Sequence, residues 1–247
     1  MSERAHYSRA PITEALIDIR VTLPEEVTVT DLAHMEVGEE IGYPQRRNRF
    51  TVELEQEIAF GGQVGTATRE IHTGYDFLTS DELQIVQVRL DGFTFSRLAP
   101  YGRWETFREE AHRLWKLYRA VADPMAVTRV AIRYINQLNL PLPMDDFKDY
   151  LRTVPEVSPE LPQGLSDYLM RLVIPQEDIG AVLLLNQALL PSPDASTASI
   201  LLDIDLFREL EASIGEEELW TLLDQFRARK NQVFEACITK RTRELIS

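Results

Sequence analysis

The stretch from Ser199 to Ile238 sets the terms for the whole chain: SILLDIDLF, an acidic linker, then EELWTLLDQFRARKNQVFEACI. Its first part reads as an apolar strand carrying two aspartates, because polar residues recur at the two-residue period of a sheet face. Its second part places Leu219, Leu222, Leu223, Phe226, Val233 and Cys237 on a common helical stripe. Each element has an apolar side to bury, and layers of sheet and helix are the economical way to bury both. A looser version runs from Leu83 to Val121, as LQIVQVRLDGFTFSRLAPYGRWETFREEAHRLWKLYRAV.

The remainder of the chain is mostly strand. Ile12 to Leu23 alternates, with Ala15, Ile17, Ile19, Val21 and Leu23 on one side and Glu14, Asp18, Arg20 and Thr22 on the other. Asp31 to Val37 reads as a short helix and Gly38 to Arg49 as loop. Phe50 to Ile58 repeats the period of two, and Gly61-Gly62 with Gly65 supplies a turn. Strands follow near Thr66–Ile71, Gly74–Leu78, Leu83–Leu90 and Phe93–Leu98. Asp91-Gly92 between the last two is a strong hairpin signal.

A helix near Gly102–Val121 follows, with Trp104, Phe107, Ala111, Leu114, Trp115, Tyr118 and Val121 on one face and Asp123-Pro124 as its stop. Val127–Leu140 is the next strand, Met144–Leu151 a short helix, and Pro155–Gly164 a loop. Tyr168–Ile174 and Ala181–Gln187 precede the closing strand and helix. The expected class is α+β: antiparallel sheet built from two meander-plus-long-helix halves, residues 1–125 and 126–247, integrated as one domain. Both helices are expected on one face, with a pseudo-twofold duplication relating the halves.

Charge narrows the function classes. A net charge of −14 argues against binding nucleic acid, whose phosphates demand clustered Lys and Arg. The one cysteine, Cys237, cannot form an internal disulfide and sits on the helical apolar face, as in a reducing cytoplasm. No signal-peptide core and no run of about twenty apolar residues occurs, so the chain is expected to be cytoplasmic, without membrane contact.

Candidate chemistry is sparse. Asp203 and Asp205 share a strand face, where two carboxylates can hold a cation or divide acid and base roles. The competing reading pairs them with outward arginines, Arg129, Arg133 and Arg20, on other strands. Arg46, Arg47 and Arg49 beside Tyr43 form the densest basic cluster, a contact for phosphate or carboxylate or simply a solvated loop tip. Lys230 and Asn231 interrupt the last helix's stripe, facing a cleft or partner or marking where the stripe leaves the core. His6, His34, His72 and His112 lack ligand spacing, no second cysteine exists, and Gly61–Gly65 lacks the lysine of a phosphate loop. No cofactor and no metal are expected.

PITEALIDIRV (Pro11–Val21), QVRLDGFTFSRLAPYGRWETF (Gln87–Phe107), VTRVAIRYINQLNLP (Val127–Pro141), LLDIDLF (Leu201–Phe207) and LWTLLDQFRARKNQVFEACIT (Leu219–Thr239) form an ordered set. Together they resemble a sporadically distributed prokaryotic family of similar length and uncharacterised function. That resemblance implies a free-standing cytoplasmic protein from accessory genes, which include toxin–antitoxin and defence cassettes, and it assigns no residue a role. The leading expectation is therefore a non-enzymatic interaction protein with a protein partner encoded nearby. An alternative is a ligand-binding or hydrolytic protein, with Arg129, Arg133, Asn136, Asp203 and Asp205 lining a site between sheet and helices. A third is a homo-oligomer joined through the aromatic helices, with Trp115 and Trp220 off the main stripe as contact residues.

Overall fold

A computed structural model describes residues 7–58, 64–192 and 194–247. Among the described residues, nine strands form one antiparallel sheet accompanied by four helices, so the α+β class holds. The strands are β1 (Ile12–Thr22), β2 (Gln45–Ile58), β3 (Val64–Leu78), β4 (Gln84–Arg89), β5 (Gly92–Leu98), β6 (Ala126–Pro141), β7 (Leu169–Gln176), β8 (Ala181–Leu190) and β9 (Thr197–Glu209). The helices are α1 (Val29–Leu32), α2 (Trp104–Ala122), α3 (Glu216–Cys237) and α4 (Lys240–Ile246). Hydrogen-bonded order runs β2-β3-β4-β5-β1-β6-β9-β8-β7. None of these helices is long and apolar enough to cross a membrane.

Several local expectations change. Thr66–Ile71 and Gly74–Leu78 belong to one continuous β3. The register jumps from Arg49 opposite Gly74 to Phe50 opposite His72, leaving Thr73 as an extra residue. Such a bulge reverses the alternation at that point, so one strand reads as two. Gln45–Arg49 lies inside β2 and not in a loop, because Gly74–Leu78 supplies its partners. Met144–Leu151 forms only a 3₁₀ turn at Phe147–Asp149, and Asp31–Val37 contributes no more than the end of α1. The Gly61-Gly62 turn lies outside the described residues.

The chain divides into two compact units, one of Asp18–Ser96 with Arg103–Thr128 and the other of Met1–Ile17, Arg97–Gly102 and Arg129–Ser247. In the first, α2 lays its apolar stripe on β5. Phe93 meets Trp115 and Tyr118 at centroid distances of 5.6 and 5.8 Å, and Phe95 stacks on Phe107 at 5.1 Å. Trp115 is 1% exposed, so it is a core residue of that stripe and not the contact residue of the homo-oligomer alternative. Truncating one such ring costs about 3–5 kcal/mol. α2 stops after Ala122 because Asp123 turns left-handed, at φ 41°.

In the second unit α3 packs against β9. Buried on that side are Ile132, Tyr134 and Leu138 of β6, Ile200, Leu202, Ile204 and Leu206 of β9, and Leu183 and Leu185 of β8. The helix buries Leu219, Trp220, Leu222, Leu223, Phe226, Phe234 and Cys237. Phe234 takes the core place expected of Val233, which is half-buried, and Trp220 is likewise core. Burial pushes the Cys237 thiol up to about 11, so it stays protonated. After Ile238 bridges to Leu151, α4 starts at Thr239, whose hydroxyl accepts from the Thr242 amide at 3.4 Å.

Candidate functional site: the sheet face opposite α3

The β6-β9-β8-β7 sheet segment has two sides of different character. Pairing registers run without a shift, so residues line up in rows across the strands. On the side turned from α3 the rows are Leu169–Ala188–Leu201–Gln137, Arg171–Asn186–Asp203–Ile135, Val173–Leu184–Asp205–Arg133 and Pro175–Val182–Phe207–Ala131. Val182, Leu184, Ala188, Leu201, Ile135 and Phe207 are half-buried there. At the rim Leu169 is 78% and Val173 60% exposed. β7 is the outermost strand on this side of the sheet, so its far edge has no strand partner among the described residues.

The centre of this face is an ion cluster. Arg133 donates from Nε and Nη2 to both oxygens of Asp203, each at 2.8 Å, a fork-on-carboxylate geometry. Asn186 donates to the same carboxylate at 2.9 Å. The Asp203 side chain is 2% exposed against 41% for Arg133, so the guanidinium covers the carboxylate and offers its own edge to solvent. The contact with Asp203 raises the Arg133 guanidinium above its ordinary value, and Asp205 and Glu14 add to that. Arg129 lies 3.9 Å from Asp205 and 3.4 Å from Glu209, with its guanidinium 4.4 Å over the Phe207 ring.

Four of the five residues expected to line a ligand site therefore come together as ion pairs, and Asn136 does not join them. An odd number of residues separates faces on a strand, so Asn136 points to the α3 side while Arg133 points away. Asn136 is 2% exposed and donates to the backbone oxygens of Leu202 (2.9 Å) and Tyr134 (3.2 Å). Arg20, offered as another partner for these acids, pairs instead with Asp18 at 3.0 Å and with Asp91.

On the α3 side, Lys230 is half-buried with Nζ 3.9 Å from the Tyr134 ring centroid. The interruption of the stripe thus points inward, at the sheet. Burial, with repulsion from Arg227, pulls the ammonium down to about 7. The negative face of the ring opposes that pull by favouring the charged form. Tyr134 is fully enclosed, which raises its phenol well above its ordinary value, and its hydroxyl is 3.0 Å from that of Tyr101. Asn231 is half-buried.

The arginines of β2 are also engaged. Arg47 pairs with Glu82, Arg49 reaches both oxygens of Asp76 at 3.2 and 3.3 Å, and Arg46 lies 5.3 Å over Tyr75. They are strand residues and not a loop tip, and two of the three face a carboxylate.

The polar centre of the first unit was not anticipated. Asp18 accepts from Arg20 (3.0 Å), Arg89 (3.0 Å) and Thr94 (2.7 Å). Arg89 also holds Asp91 and Gln87, each at 3.0 Å, and Tyr118 donates to its carbonyl at 2.9 Å. Arg89 two residues before the Asp91-Gly92 hairpin, and Asp18 two residues before Arg20 on the polar row of β1, were the available signals. No group of three or more His, Cys, Asp or Glu among the described residues is arranged to hold a metal ion.

No family model matches the chain, and no curated protein matches it.

Proposed function

We propose that this chain is a non-enzymatic interaction component that receives a protein partner on the β7 edge and the sheet face beside it. The observation that carries the reading is the exposure of Leu169 and Val173 on an outermost strand. An edge strand offers unpaired backbone donors and acceptors, and natural proteins usually blunt it. Here Arg171 and Pro175 do so only in part: proline removes one donor near the strand's end, while Leu169 to Ile174 keeps its backbone groups. An extended partner segment adds backbone hydrogen bonds along such an edge, and alternate side chains give it specificity. The half-buried apolar rows continue that contact inward, and the Arg133 guanidinium supplies a point where a partner carboxylate is recognised.

The resemblance to accessory-gene proteins fits a partner encoded nearby, as an antitoxin-like neutraliser or a defence-complex subunit has. The strand order supports a pseudo-twofold origin, since the first strand of each half lies beside its last, β1 by β5 and β6 by β9. The test is co-purification from the native host of wild type and of a Leu169→Asp/Val173→Asp variant. Wild type is expected to bring down a stoichiometric protein that the variant loses.

A further inference from the structure

Which backbone groups of β7 are open to a partner follows from its pairing with β8. Leu189 donates its backbone N–H to the Tyr168 carbonyl at 3.2 Å. The register steps in twos from that pair to Met170–Gln187, Leu172–Leu185 and Ile174–Leu183. In an antiparallel ladder such hydrogen-bonded pairs alternate with pairs whose backbone groups point away from each other. Met170, Leu172 and Ile174 are therefore bonded to β8, and Leu169, Arg171 and Val173 direct their N–H and C=O to the open edge. Pro175 agrees with this assignment: it falls at the next outward position, where a missing N–H removes no ladder bond.

The same three residues place their side chains on the face turned from α3. A strand added here pairs directly with them, and its paired side chains stand beside theirs on that face. Leu169 and Val173 are 78% and 60% exposed, and Arg171 between them is exposed as well. In the neighbouring rows the acids are covered and the cation is open. The Asp203 and Asp205 side chains are 2% and 16% exposed, against 41% for Arg133. Charges in contact lie within a Debye length of about 8 Å, so this local sign, and not the net −14, decides what fits opposite Arg171. A second copy of β7 does not fit. Centred antiparallel on Arg171, it sets two guanidiniums directly opposite each other. A shift of two residues one way sets Pro175, with no N–H, against Leu169; the other way pairs Val173 with Asp167, outside the strand.

We propose that the partner is a different protein that adds an extended acidic–apolar segment antiparallel to β7, with Asp or Glu opposite Arg171 and apolar residues opposite Leu169 and Val173. This rests on the interaction reading above and states the chemistry of the partner. The segment's backbone bonds the outward N–H and C=O groups, its carboxylate takes the Arg171 fork, and its flanking side chains cover Leu169 and Val173. Arg171 both opposes self-pairing and selects an acid, so one side chain sets the specificity of the edge.

The experiment follows backbone amide exchange of the full chain by nuclear magnetic resonance, with two synthetic peptides as probes. Both run Val-Thr-X-Thr-Val at their centre, with X glutamate in one and lysine in the other. At about ten times the peptide's Kd only the free fraction exchanges, so the glutamate peptide is expected to slow the Leu169, Arg171 and Val173 amides about tenfold. The lysine peptide is expected to leave them fast, and Arg171→Glu to exchange the two peptides' effects. Slowing that ignores the central charge, or none with either peptide, overturns the proposal. So does a wild-type dimer, seen by light scattering, that Leu169→Asp/Val173→Asp breaks, because it makes a second copy the occupant. The interaction reading fails separately, when wild type purifies alone from the native host. A host partner retained by Arg171→Glu, with the three amides still fast in its complex, overturns the strand addition and leaves that reading standing.

Discussion

Asp18 accepts three hydrogen bonds from Arg20, Arg89 and Thr94 in a setting nearly closed to water, with Asp18 and Arg89 each 8% exposed. Removing one partner of a buried pair strands the other's charge, at about 3–5 kcal/mol. Asp18→Ala is therefore expected to lower unfolding free energy in urea by that amount, and a loss under about 1 kcal/mol contradicts a central role for the cluster. Lys230 gives the opposite sign. Its ammonium falls from 10.5 to about 7 on folding, so between those values the unfolded chain binds more protons and stability rises with pH. Below pH 7 the full penalty of burying the charge is present. Lys230→Met is expected to gain roughly 2 kcal/mol near pH 6, after allowance for partial exposure and the ring contact, and to flatten the rise from pH 7 to pH 10. Parallel wild-type and variant curves of stability against pH contradict a lowered lysine. The Lys230–Asn231 break was visible in the pattern of α3, but its direction was not, because one helical turn faces several neighbours.

At the scale of elements, β3 shows what periodicity misses. Thr73 is skipped between the pairs Arg49–Gly74 and Phe50–His72, and Gly74 follows at once. A Cβ on Gly74 falls 2.0 Å from the Val88 carbonyl oxygen, so β3 and β4 approach there more closely than any side chain permits. Gly74→Ala is expected to cost about 1–3 kcal/mol or more, measured by chemical denaturation, while a neutral result contradicts that close approach. Long elements were legible: α2, α3, β1, β5 and β9 follow from their apolar periods to within a few residues. What failed was set by partners distant in sequence. Gln45–Arg49 is strand only because Gly74–Leu78 pairs with it, and Phe234 displaces Val233 because of what faces α3. Trp220 is core for the same reason, and Trp115 is core as its place on the apolar face of α2 implies, which removes both as exposed contacts for self-assembly. The parity that separates Asn136 from Arg133 was available from strand geometry alone, whereas the diagonal pairing of Arg133 with Asp203 needed the register.

For the molecule as a whole, the two sides of the β6-β9-β8-β7 segment differ in character. One side, under α3, holds the Lys230 ammonium over Tyr134. The other presents apolar rows around the Arg133–Asp203–Asn186 cluster and ends at an exposed edge strand. Buried ion pairs contribute little net stability compared with apolar packing, so such a cluster on an open face fits recognition better than fold maintenance. The measurement that bears most directly on the interaction reading is stoichiometric co-purification from the native host, with wild type and Leu169→Asp/Val173→Asp run side by side. The account predicts a partner near one-to-one with wild type and its loss from a variant whose thermal unfolding is unchanged. A wild-type chain that purifies alone, or a partner retained in full by the variant, contradicts it.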